Sequence, residues 1–119
     1  MDRRAPKLLE DIRDAASFVL DAVSGETQEQ YEANRILRQA VERNFEIIGE
    51  ALNRLSQVDA ETAARVGPVA QIKAFRNILI HAYDSIDHAI VWDVIHEKLP
   101  DLLTNVEQLL RDAEDQHGA

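Results

Sequence analysis

The chain has no cysteine, which excludes a disulfide framework, a zinc-thiolate site and a thiol nucleophile, and suits a reducing cytoplasm. A continuous apolar stretch is missing from its start. The segment MDRRAPKLLEDIRDAA interleaves charged and apolar residues and reads as neither a signal peptide nor a membrane span. The expectation is a soluble, cytoplasmic protein with no membrane partner. Period-two alternation of strand length is absent, as is any internal repeat. Positive charge is scarce: 13 Lys and Arg stand against 22 Asp and Glu, a formal net charge of −9. This balance argues against broad adhesion to nucleic acid, which dense Lys/Arg surfaces drive, so that any such contact must be local. The same acidity fits a basic protein partner equally well.

What the chain does have is apolar periodicity at helical spacing. Its 119 residues, 45% of them hydrophobic, suffice for one domain over 1–119 with a real core. From Pro6 to Val23 the residues Leu8, Leu9, Ile12, Ala16, Val19, Leu20 and Val23 recur at steps of three and four, and Gly25 ends that helix. Thr27 and Gln30 have capping-box spacing, after which the chain reads as one helix to about Leu55. Its stripe is Leu37, Val41, Asn44, Ile48, Ala51 and Leu55, widened by Phe45 and Leu52, and Gly49 permits a close helix contact. A short helix capped by Asp59 runs to Val66, and Gly67-Pro68 gives a stop followed by a start. A third long helix spans about Pro68 to Tyr83. Asp84 and Ser85 are N-cap candidates for the next, whose face is Ile86, Ile90, Val91, Val94 and Ile95. Pro100 kinks it or opens a new one carrying Leu102, Leu103, Val106, Leu109 and Leu110, and 112–119 reads as a frayed, solvated tail. The fold class is therefore all-α, an antiparallel bundle of four or five helices.

The chemistry concentrates in Ala74-Phe75-Arg76-Asn77-Ile78-Leu79-Ile80-His81-Ala82-Tyr83. At about 100° per residue, Ile72, Phe75, Leu79 and Ala82 share a core face, and His81 projects roughly opposite them on the side of Asn77. Arg76 and Tyr83 border the core stripe, where stems are buried and polar ends reach out. Arg76 and His81 diverge by about 140° on one regular helix and cannot grip a single phosphate together. Either the helix ends or distorts near His81, or two copies meet across a two-fold axis and build a shared site. Ile78 and Ile80 lie off the core stripe and favour the dimer. A histidine suits handling the proton of a 2′-hydroxyl or a leaving oxygen, a guanidinium binds phosphate in a fork, and Asn77 orients the histidine or donates to a phosphate oxygen.

Arg76-Asn77-x-Leu79-x-His81-x-Tyr83 resembles the Arg-x4-His-x-Tyr signature of the HepT-like HEPN toxins. The likeness continues in Ala40-Val41-Glu42-Arg43, in Ile47-Ile48-Gly49-Glu50-Ala51, in Ile86-Asp87 with Val91-Trp92, and in Leu99-Pro100-x-Leu102, covering roughly residues 5 to 110 in order. It departs at Val69 and Phe75, where Trp and Met are common. The resemblance implies a HEPN-type helical bundle, a homodimer whose two motifs line a cleft, and metal-independent endoribonuclease activity on an RNA substrate. It also implies a cognate MntA-like antitoxin, a minimal nucleotidyltransferase that transfers AMP to the motif tyrosine. Arg76 and His81 are then catalytic, Asn77 supportive and Tyr83 the modified, regulatory residue.

Blander readings stand beside these. Arg76 also suits an ion pair with Glu46 or Glu50, and Tyr83 suits simple packing with its hydroxyl on a carboxylate. His81, Asp84, Asp87 and His88 fall within two turns, yet read better as a helix end followed by capping acids than as a metal site; no metal or cofactor is expected. His96 beside Glu97 lacks the second histidine of a zincin helix. Trp92 reads as core or interface, and Asn44 as a buried polar pair at a dimer seam or a lining residue of the cleft. The competing function is a noncatalytic helical module that presents a substrate or nucleotide to a partner nucleotidyltransferase.

Overall fold

A computed structural model describes residues 1–67 and 86–117, with side chains as far as Asp115. These residues form six helices and, among them, no strand: α1 Ala5–Val23, α2 Gln28–Ala33, α3 Arg35–Val58, α4 Ala60–Val66, α5 His88–Glu97 and α6 Leu99–His117. The stretch expected to be a third long helix, Pro68 to Tyr83, lies outside the described residues.

The steps of three and four seen in the N-terminal sequence become the buried face of α1: Ala5, Leu9, Ile12, Ala16, Val19 and Val23 are all buried. That face packs against α3 and α6, and α4 closes against the same two helices. Helix α5 packs on α6, while α2 touches both α3 and α5. The shared interior holds Ile48, Leu52 and Leu55 from α3, Val66 from α4, Ile95 from α5 and Leu99, Val106 and Leu109 from α6. Burying each such side chain contributes about 1.5–3 kcal/mol.

The all-α bundle is as expected, and within the described residues the second helix is split in two. Its capping box forms as the spacing indicates, with the Gln30 backbone N–H donating to Thr27 Oγ1 at 3.1 Å and the Thr27 N–H donating to Gln30 Oε1 at 2.9 Å. Asn34 then leaves helical geometry (φ −105°, ψ 95°) and its side-chain oxygen accepts the Leu37 N–H at 3.0 Å, so a new helix begins at Arg35. An asparagine offers the backbone a local acceptor that competes with helix continuation. The break lets α2 turn inward and bury Tyr31 completely. Helix α3 then runs to Val58. Asn44 returns its amide to the Ala40 carbonyl at 2.8 Å, satisfied within its own helix.

Other boundaries follow from caps. Asp87, not Asp84 or Ser85, caps α5: its Oδ1 accepts the N–H of Ala89 at 3.0 Å and of Ile90 at 3.3 Å. Ile86 packs against the core just before it. Pro100 sits at the second position of α6, where a missing N–H costs nothing, so it opens a helix rather than kinking one. Helix α6 extends to His117, through residues whose composition reads as solvated, with Ala113 buried and Asp112 accepting from Arg65 Nη2 of α4 at 3.1 Å. Gly67 ends α4 at φ 146°, a backbone region that side-chain-bearing residues rarely adopt.

Asp59 joins three pieces of chain. It caps α4 by accepting the Thr62 N–H at 3.1 Å and hydroxyl at 2.8 Å, and its Oδ2 accepts the backbone N–H of Asp2 at 2.8 Å, tying the N-terminus to the α3–α4 corner. The Asp2 N–H, followed by the Thr62 donors, holds the Asp59 carboxyl below its ordinary 3.8 against the opposing effect of burial. A carboxyl lowered on folding stabilises the fold fully above its unfolded value and loses that contribution as pH falls through the folded value. Asp59→Ala should therefore cost about 1–2 kcal/mol in urea unfolding near neutral pH. The deficit relative to wild type should shrink as pH drops below 3.8; a deficit independent of pH would show that the charge on Asp59 is irrelevant.

Candidate functional site

Arg76, Asn77, His81 and Tyr83 all lie outside the described residues, as do Ile78 and Ile80. The structure defines instead the residues that flank them, Val66 and Gly67 before and Ile86 and Asp87 after. On the leading side, Val66 is fully buried and its carbonyl accepts the side-chain amide of Asn105 on α6 at 3.0 Å, pinning the end of α4. On the trailing side, Ile86 packs on the core and the Asp87 cap fixes the first turn of α5. The chain is thus anchored on either side of 68–85, at the α4–α6 contact before it and at the start of α5 after it.

Around the trailing anchor lies a set of polar groups that composition and motif reading passed over. Tyr31 of α2 is fully buried, its ring 5.4 Å from that of Trp92 on α5 and tilted by 36°. Trp92, read from the sequence as core or interface, is partly buried and is followed by His96, whose ring lies 4.2 Å away and whose Nδ1–H donates to the Trp92 carbonyl at 2.8 Å. Neither the Tyr31 hydroxyl nor His88 Nδ1 has a hydrogen-bond partner among the described residues, although both atoms are buried. Burial pushes the Tyr31 hydroxyl well above its ordinary value, and the charge of Glu42 adds to that. Glu42, on α3, is itself raised by burial and is partly relieved by His88 and then Arg38. The sequence did carry a signal for this group: Tyr31 is a large aromatic side chain in a short polar segment, QEQYEA, where only tertiary packing explains it.

The remaining carboxylates of α3 are engaged on the surface. Glu46, a proposed partner of Arg76, accepts from Arg43 Nη1 at 3.2 Å, and Glu50 accepts from Arg54 Nε at 3.1 Å. With Leu8, Asp11, Ile47 and Ala51 these four residues line a shallow groove between α1 and α3 that carries charges of both signs. Such a surface does not draw in polyphosphate by itself. Among the described residues no cluster of three or more histidine or acidic side chains is arranged to hold a metal, and no helix is long and apolar enough to cross a membrane.

Comparison with known proteins follows the same outline. Residues 8–109 match the family described as Ribonuclease HepT-like. "Putative RNase TTE0752" of Caldanaerobacter subterraneus subsp. tengcongensis is 32% identical over 87% of this chain and 91% of its own. "Putative RNase MJ1380" of Methanocaldococcus jannaschii is 33% identical over 90% of this chain and 98% of its own. "Probable ribonuclease HepT" of Thermococcus cleftensis is 29% identical over 92% and 98% respectively. No solved structure gives a significant match. The match runs from α1 through most of α6 and takes in the whole motif segment, and on that basis the chain belongs to the HepT-like ribonuclease family.

Proposed function

We propose that the protein is the toxin of a toxin–antitoxin pair: a metal-independent endoribonuclease, active as a homodimer, with Arg76 and His81 as catalytic groups, Asn77 supporting them and Tyr83 as the point of control. The observation that carries this reading is the family match over residues 8–109, which spans Arg76-x4-His81-x-Tyr83 in full. His81 moves the proton of the attacking 2′-hydroxyl or the leaving 5′-oxygen. Arg76 meets the charge that develops on phosphorus. Because the nucleophile comes from the RNA, the expected products are a 2′,3′-cyclic phosphate and a 5′-hydroxyl. The composite dimer site reconciles the roughly 140° divergence of the two side chains on one helix with their joint action on one phosphate.

Purified protein in excess chelator should cut single-stranded RNA and leave cyclic phosphate ends, and His81→Ala should slow cleavage by about a hundredfold or more with the fold unchanged by circular dichroism. Full activity in that variant, or a strict need for a divalent ion, would remove the mechanism.

Control by a nucleotidyltransferase antitoxin is what the family resemblance implies, and the position of Tyr83 two residues beyond His81 fits it. Each AMP attached to the phenol brings one phosphate charge into the place where RNA phosphate must sit. For two unit charges about 6 Å apart at an effective dielectric near 20, the repulsion is about 3 kcal/mol, or about a hundredfold in RNA affinity. Co-expression with the antitoxin should add one or more AMP masses to the chain, located at Tyr83, and Tyr83→Phe should still cut RNA while escaping silencing. A neutralised protein with an unmodified Tyr83 in intact-mass spectra would mean that inhibition works through complex formation alone.

A further inference from the structure

The ribonuclease scheme makes no use of the outer side of α3. Besides the stripe that α3 gives to the core, Ile36, Ile47 and Val58 recur along it at intervals of eleven residues, about three turns each, and so lie nearly on one line. None of the three is buried. Ile36 is 84% exposed, the most of any large apolar side chain among the described residues. Ile47 lines the groove between α1 and α3, and Phe18, two turns beyond the groove residue Asp11 on α1, is 48% exposed. A single apolar side chain on a surface needs no explanation, whereas a line of three along the whole of a 24-residue helix does.

The residues between those three make the line fit a copy of itself. Two α3 helices related by a two-fold axis at Ile47 run antiparallel, so that residues equally far before and after Ile47 face each other. Ile47 then meets Ile47 at the axis, and Ile36 meets Val58 at either end. Arg43 stands four residues before Ile47 and Ala51 four after; Ala40 stands seven before and Arg54 seven after. Each arginine stem is thereby laid over an alanine, large against small. The guanidinium of Arg43 comes beside Glu50, the neighbour of Ala51, and the symmetry makes this pairing twice.

Charge selects the occupant. Within one chain Arg43 pairs with Glu46 at 3.2 Å and Arg54 with Glu50 at 3.1 Å, one positive group for each negative. A face so balanced draws in neither a polyanion nor a strongly basic partner. A second copy suits it, because Arg43 and Glu50 answer each other in both directions.

We propose that this face of α3, with the adjoining side of α1, is a seam for a second copy of the chain, centred on Ile47 and made by residues other than those of the composite ribonuclease site. It does not rest on the ribonuclease reading. From Ile36 to Val58 the seam is about 33 Å long. At two helix widths it covers on the order of 600 Å² per copy, somewhat less than the roughly 800 Å² of a stable interface. Association through it is therefore weak enough to follow by dilution.

Sedimentation velocity over a micromolar dilution series reads the seam. At the concentrated end Ile47→Asp should show about half the weight-average mass of wild type, with helical circular dichroism unchanged. Arg43→Glu and Glu50→Arg leave the core untouched, and each should weaken association about tenfold, because like charges then meet twice across the axis. Mixing these two proteins should restore it, since each brings the other the opposite charge at both contacts. A wild-type mass in a folded Ile47→Asp protein, or a mixture that associates no better than its components, would overturn the seam. A wild type whose mass does not change over the series would overturn it as well. Should Ile47→Asp lose its helicity, the mixing result decides alone.

Discussion

Helix α1 is the piece of this structure on which the others are assembled, because it gives up an entire apolar face to two neighbours at once. Leu9, Ile12, Ala16 and Val19 lose all solvent contact between α3 on one side and α6 on the other. At about 1.5–3 kcal/mol for each large side chain buried, this double contact outweighs any surface ion pair in the molecule. Arg65 with Asp112 and Lys7 with Asp11 are exposed pairs of that weaker kind. Helices α3 and α6 thereby form a frame, with the shorter α4 packed on both and α5 on α6.

An acidic chain has little general means of holding RNA, the substrate proposed above. A net charge of −9 leaves no general electrostatic attraction for a polyanion. Affinity then has to come from a few correctly placed groups, and placement has to come from the frame. The Asn105 bond to the Val66 carbonyl and the Asp87 cap are the visible parts of that placement.

Much of the fold was legible because its signals are local or periodic. The buried face of α1, the Thr27 capping box and the Asp59 cap all appear as the spacing indicates. Two boundaries were misplaced because packing, not local spacing, decides whether and where a residue able to cap interrupts a helix. Asn34 ends α2 because burying Tyr31 requires the chain to turn there, and Asp87 rather than Asp84 or Ser85 caps α5 because Ile86 is drawn onto the core. The motif was legible as a resemblance, and its residues lie outside the described ones. The burial of Tyr31 against Trp92 showed in the sequence only as a large aromatic in a polar segment, since the two residues meet through tertiary packing.

Subunit mixing tests directly whether one active site draws on two copies of the chain. Arg76→Ala and His81→Ala proteins, each inactive alone, are denatured together and refolded. If Arg76 from one copy works with His81 from the other, every mixed dimer regains one intact site, and RNA cleavage should return to about a quarter of the wild-type rate. If no activity returns although mixed dimers form, the two residues serve within a single copy and the composite site is contradicted.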